Sequence, residues 1–275
     1  MAIVSDARQT FELRGRARLA CIMKDAAPFI RASVREVERM RLTVTANSRL
    51  RSAVGSVKLY QSQRFQHRYR DLISDGPYQN AVRFFLDEIY GSGDYSSRDA
   101  QFARIAGAID RLLPKLAVAT AVTLAQVHVL TEQFDFDMGR AWLMAPRFDT
   151  AAEIYSFAWR SVGKPELRKQ QLQLVIELGR DLDRLTQTPG LRLLLKMMRG
   201  PAHAAGLHEL QQFLESGFDT FSSLTKPNAG ADRFLRLIES RESEFISALF
   251  DPRLDIATAI RDGILPIGSA DERLA

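Results

Sequence analysis

Apolar residues return at intervals of three and four along almost the whole of this 275-residue chain. No run shows the strict in–out alternation, bounded by turn residues, that a half-buried strand needs. No Asn-Gly hairpin signal and no fixed-period repeat is present either. The pattern predicts an all-α fold, a multi-helix bundle of about nine or ten helices.

Proline and glycine divide the pattern. Helices are expected over 8–24, from Pro28 to about Thr45, and over 78–90 with Gly91 as C-cap. Asn47-Ser48 either breaks the second helix or is passed over, giving one long basic rod over 49–74. Asp75-Gly76-Pro77 is a turn. Ser97 is placed to cap a helix to about Leu113, where Pro114 interrupts, and an apolar helix runs on to about Leu143. Asp149 or Thr150 caps a helix to Val162, and Gly163-Lys164-Pro165 turns the chain. The next helix, 166–186, carries Leu167, Leu172, Val175, Leu178, Leu182 and Leu185 on one side. Pro189 sits at the first turn of 190–199. Gly200-Pro201 opens a helix over 202–224 with a stripe of Leu207, Leu210, Leu214, Phe218 and Phe221. Residues 226–230 form a linker, and 232–250 directs Phe234, Ile238, Phe245 and Leu249 inward. These elements group as a basic helical arm or subdomain (1–77), a helical bundle domain (78–250) and a loosely ordered C-terminal tail (251–275).

Charge is uneven. Residues 1–75 hold 15 Lys and Arg against 7 Asp and Glu, and the remainder 23 against 26, so the net +5 comes from the arm. Such an arm suits nucleic acid, an anionic surface or an acidic partner, or is a solvated Arg-rich helix face. The single cysteine, Cys21, excludes an internal disulfide and fits a reducing cytoplasm, and its apolar setting reads as a buried position. No secretory signal is visible. The longest uncharged run, 116–131, is shorter than the roughly 20 residues a membrane span requires.

One helical stripe stands out. His128, Glu132 and Asp135 fall at i, i+4 and i+7 and share a face of the apolar helix. Three polar groups on a buried stripe need partners, and Arg98, Asp99 and Arg104 at the start of the preceding helix are the candidates. The expected result is a buried polar network of Arg98, Asp99, Arg104, His128, Glu132 and Asp135 that holds helices in register. The alternative is a metal site, since one His and two carboxylates can bind a metal. A paired Glu-x-x-His di-iron pattern is missing. His203, in phase with Leu207, Leu210 and Leu214, is expected to face inward, as a core histidine or as a haem or cofactor ligand beside the small residues Ala202, Ala204, Ala205 and Gly206. His67 and His208 read as exposed. Phosphate loop, nucleophile elbow, H-E-x-x-H and C-x-x-C signatures are absent.

The runs FFLDEIYG (84–91), DYSSRDAQFARI (94–105), HVLTEQFDFDM (128–138) and AAGLHELQQFLESGFDTF (204–221) resemble a family of helical proteobacterial proteins with no established activity. The resemblance spans about 80–250 and implies an all-helical fold in a bacterial cytoplasm. It supplies no catalytic or binding residue. The leading expectation is therefore a non-enzymatic helical scaffold, without a cofactor, that binds a protein partner. The alternative is a metal- or haem-binding protein using His128 or His203, as an oxidoreductase or sensor. The second alternative is nucleic-acid binding through residues 1–75.

Overall fold

The 29-residue apolar segment after Pro114 becomes the pillar of the molecule. It forms one helix, Lys115–Leu143, about 44 Å long at 1.5 Å per residue. The computed structural model describes residues 26–74, 76–88, 95–224 and 230–268. Within them lie thirteen helices and no strand, ten of the helices having seven or more residues. Among these residues no helix is long and apolar enough to cross a membrane.

In chain order the helices are α1 (Ala26–Thr45), α2 (Ser48–Arg68), α3 (Arg70–Ser74), α4 (Gln79–Glu88), α5 (Ser96–Leu112), α6 (Lys115–Leu143) and α7 (Ala151–Val162). They continue as α8 (Pro165–Thr186), α9 (Leu191–Met197), α10 (Arg199–Ala204), α11 (His208–Ser223), α12 (Ala231–Phe250) and α13 (Ile256–Arg261). Local chemistry sets several of the boundaries. Asn47 accepts the Leu50 N–H and starts α2, which settles the question of one long rod in favour of two helices. Thr150 and Glu153 form a reciprocal capping box at the start of α7. Pro165 opens α8 behind a left-handed Gly163-Lys164 turn.

Helices α1, α2, α7 and α8 pack around α6, and α12 packs on α8. Two glycines permit the closest approaches. A Cβ at Gly139 would stand 2.4 Å from Val54 Cγ2, and one at Gly179 would stand 2.4 Å from Leu235 Cδ2. Three apolar clusters result. One gathers Val57, Met138, Trp142, Tyr155, Trp159, Phe245 and Leu249. A second gathers Phe65, Phe84, Phe85, Ile176, Phe221 and Phe234. The third holds Ile30, Ala106, Val118, Val122 and Ala125. Along α6, therefore, residues 118–125 serve one cluster and 138–142 another. The charged residues fall between them.

Several expectations change. Ser97 does not cap α5. The position before the helix is Tyr95, without a side-chain cap bond, and Ser97 Oγ instead takes a hydrogen bond from Gln101. The helix expected over 202–224 is two helices, because Gly206 adopts a left-handed φ of 65°. Leu167 and Leu214 are exposed at the edges of their stripes. The chain after 250 is not loose at once. α13 packs on α7, Leu265 is fully buried, and the Tyr60 hydroxyl donates to the Pro266 carbonyl at 2.8 Å. Helices α1 and α2 pack against α6, Ile30 in the third cluster and Val57 in the first. The helix over 8–24, Cys21, the Gly91 cap, the linker 226–229 and the end of the tail lie outside the described residues.

Candidate functional site

The polar stripe of α6 faces a line of cations from α1 and α2. Arg41, on α1, forks between two carboxylates. One guanidinium nitrogen lies 2.8 Å from Asp99 Oδ2 and the other 2.7 Å from Glu132 Oε1. Lys58, one turn before Gln61 on α2, lies 3.3 Å from Glu132 and 3.7 Å from Asp135. The Gln61 amide donates to Asp135 Oδ1 at 2.9 Å. His128 Nε2 lies 2.8 Å from Asp99 Oδ2. Asp99, His128, Glu132 and Asp135 thus lie in one network.

Two expected members take partners outside it, Arg98 while still bordering the same pocket as the network. Arg98 pairs with Glu88 at 3.0 Å, its guanidinium stacked 4.2 Å from the Tyr95 ring and 4.4 Å from the Phe213 ring. Arg104 is exposed and donates to the Gly206 carbonyl, pinning the α10–α11 turn to α5. His203 does not face inward. The break at Gly206 takes it out of phase with Leu210, so it is exposed, its ring 5.9 Å from that of the exposed His208. As for a metal, His128 turns to Asp99, while Glu132 and Asp135 turn to Arg41, Lys58 and Gln61. Among the described residues no group of three His, Cys, Asp or Glu is arranged to hold an ion.

Neighbouring carboxylates on α6 are driven in opposite directions. Burial opposes ionisation of Glu132, but Lys58 and Arg41 together outweigh it and hold its pKa below the ordinary value. Asp99 follows the same balance: burial raises it, while the His128 contact and the charges of Arg41 and Arg98 bring it down. At Asp135 burial prevails over Lys58, and the nearby Glu132 adds to it, so its carboxyl is pushed up.

These groups border a pocket of about 80 Å³. Its polar side is Lys58, Arg98, Asp99, His128, Glu132 and Asp135. Its apolar side is Phe102, Leu124, Val127, Leu178, Leu210 and Phe213. A deeper chamber of about 60 Å³ shares Gln61, Thr131, Asp135 and Val175 with it and extends into the core. There Arg168 is sandwiched, its Cζ 3.6 Å from the Phe134 ring centroid and 3.7 Å from that of Trp159. Arg64 pairs with Glu242 at 2.9 Å, and the Tyr69 hydroxyl donates to the same oxygen.

Sequence reading missed Arg41, Lys58, Arg64 and Arg168 because a cation on an amphipathic helix looks the same solvated or paired. One signal was available. Arg64 follows Val57 and Tyr60 at helical spacing, in phase with the buried stripe of α2.

A second feature lies outside the bundle. Leu193, Leu194, Met197 and Met198, on and beside α9, are 63%, 43%, 66% and 43% exposed.

Residues 41–255 match a family described as a domain of unknown function (DUF8198). No curated protein and no solved structure matches the chain.

Proposed function

The chain belongs to the DUF8198 family, and we propose that it is a non-enzymatic helical binding protein for a small organic molecule, seated in the pocket beside His128. The observation behind this reading is the pocket itself: buried charged groups and a wall of large apolar side chains meet across one space. A buried ion-pair network is a poor way to stabilise a bundle, because apolar residues of similar volume do as well or better. Its value lies in fixing polar groups at set positions, which is what a ligand with one polar and one apolar side requires. His128 is oriented by Asp99, and among the described residues no hydroxyl or thiol is hydrogen-bonded to it as a nucleophile would be. A bacterial cytoplasmic setting, implied by the sequence resemblance, is part of the proposal.

Native mass spectrometry of the untagged protein tests it. The expected result is a bound mass of a few hundred daltons or less in the natural chain, lost in Leu124→Trp, which fills the apolar side. If neither chain carries a bound mass and no small organic compound raises the thermal midpoint of the natural chain, the reading fails.

A second reading, the protein-binding scaffold, is favoured by the exposed Leu193, Leu194, Met197 and Met198. Met is adaptable and recurs on surfaces that receive varied partners. Nucleic-acid binding by the first helices has less behind it, because Arg41, Lys58, Arg64 and Arg68 are engaged by carboxylates.

A further inference from the structure

We infer that the molecule bound in the pocket beside His128 is uncharged, an apolar body with one polar end that both donates and accepts, as in a carboxamide or an alcohol. This rests on the ligand-binding reading above and names the chemistry of the ligand.

The charges bordering this pocket are matched within the chain. Asp99 meets Arg41 and His128, both on Oδ2. Glu132 meets Arg41 and Lys58. Asp135 meets Lys58 and the Gln61 amide. Glu88 meets Arg98, whose guanidinium already lies against the Tyr95 and Phe213 rings. The ring faces that would attract a foreign cation therefore hold one of the chain's own. Among the lining residues an entering carboxylate finds no cation without a carboxylate beside it. An entering ammonium finds no carboxylate without a cation beside it. Either ion would shed its hydration and then displace a pair, leaving one charge of the network unmatched. An uncharged molecule avoids both costs.

What stays open on the bordering residues is a mixed set of single hydrogen-bonding atoms. The Tyr95 hydroxyl is spent on the Asp87 carbonyl and the Thr131 hydroxyl on the Val127 carbonyl. Asp99 Oδ1, the second oxygen of Glu88 and the Gln61 carbonyl oxygen have no hydrogen-bond partner among the described residues. Arg98 spends only Nη1 on Glu88. A carboxylate only accepts and an ammonium only donates, so each leaves part of this set unused. A carboxamide or a hydroxyl does both, and it can add to a free carboxylate oxygen without breaking the ion pair on the other. Opposite these groups, Leu124, Val127, Leu178 and Leu210 offer the apolar body its wall.

Hexanamide, hexanoate, hexylamine and methyl pentanoate are close in size and differ in charge and in hydrogen bonding. They are titrated at constant ionic strength and neutral pH, with calorimetry and the thermal midpoint as readouts. Hexanamide is expected to bind saturably, and the hexanoate and hexylammonium ions at least roughly tenfold more weakly. Methyl pentanoate, uncharged but unable to donate, should fall between. Hexanoate or hexylamine as tight as hexanamide overturns the uncharged ligand, and methyl pentanoate as tight overturns the donating end. Lys58→Met removes the cation shared by Glu132 and Asp135 and should swing the preference toward hexylamine by roughly tenfold. An unchanged preference in that variant, if it folds, overturns the matching of charges as the cause; if it does not fold, the four probes on the natural chain still decide. If a charged probe binds as tightly as hexanamide and Leu124→Trp abolishes it, the ligand pocket stands and only the uncharged ligand is wrong. If hexanamide binds Leu124→Trp as well as the natural chain, it sits elsewhere and the inference fails. If none of the four binds and native mass spectrometry finds no bound mass, both proposals fall.

Discussion

The interior beside α6 and the surface of α9 invert the same rule in opposite senses. Around Glu132 the fold buries charge, and each carboxylate of α6 there is met by a cation or an amide. At α9 it exposes Leu193 and Met197 to more than 60%. Along α12 pattern and burial agree, with Phe234, Ile238, Phe245 and Leu249 all buried. Departures from a consistent fold are expected where a molecule does something besides fold. The difference between the two is in their closure. The interior departure is neutralised from within, by partners the chain itself supplies. The surface one is not covered by the described residues.

The largest effect is expected where internal closure is broken. Glu132→Ala removes the acceptor shared by Arg41 and Lys58. Arg41 keeps Asp99 and Lys58 keeps Asp135, so the loss should fall at the low end of the roughly 3–5 kcal/mol typical of a broken buried pair, about 3 kcal/mol by chemical denaturation. Glu132→Gln keeps an acceptor oxygen and should recover part of it. A loss under 0.5 kcal/mol for Glu132→Ala would place this network with solvated surface pairs and end the contrast.

A sharper test compares Glu132 with Asp135, one turn further along α6. Their pKa shifts have opposite signs, so their contributions to stability run oppositely with pH. The Glu132 carboxyl is lowered from 4.5. Its contribution is present above that value and is lost as pH falls through the lowered one. The Asp135 carboxyl is raised from 3.8. Its contribution is fully present below that value and is lost as pH rises through the raised one. Relative to the natural chain, Asp135→Asn should therefore improve between pH 4 and pH 7, and Glu132→Gln should worsen. At neutral pH Asp135→Asn is expected to lie within about 1 kcal/mol of the natural chain. Denaturation midpoints at the two pH values decide it, and parallel trends in the two variants would refute the opposed shifts.

How much of this could be read beforehand follows from the range of each interaction. Thr150 and Glu153 are three residues apart, and the start of α7 was legible from them. The stripe 128–135 was legible as a buried polar face because helical spacing is local. Its partners were not. Arg41 lies 91 positions from Glu132, and nothing on α1 separates it from its solvated neighbour Arg39 until α1 is docked on α6. His203 was misplaced for the reverse reason. The apolar spacing across 203–214 is good, but a single left-handed glycine at 206 resets the phase. The family match carries a domain of unknown function and so adds no chemistry to these residues.

The smallest effect on folding is expected at the surface, and it decides whether the two departures truly differ. Leu193 and Met197 lie one turn apart on α9. Both lose little solvent contact in the fold, so Leu193→Ser with Met197→Ser should shift stability by no more than about 0.5 kcal/mol. The same double variant should bind markedly less of an apolar dye such as anilinonaphthalene sulfonate, because it removes much of the exposed apolar surface at α9. A loss of several kcal/mol would mean that α9 is packed, and that its apolar side chains serve the fold as those of α12 do. Unchanged dye binding at unchanged stability would mean that the dye finds another surface. With stability kept and dye binding lost, α9 is an apolar surface that the fold does not use.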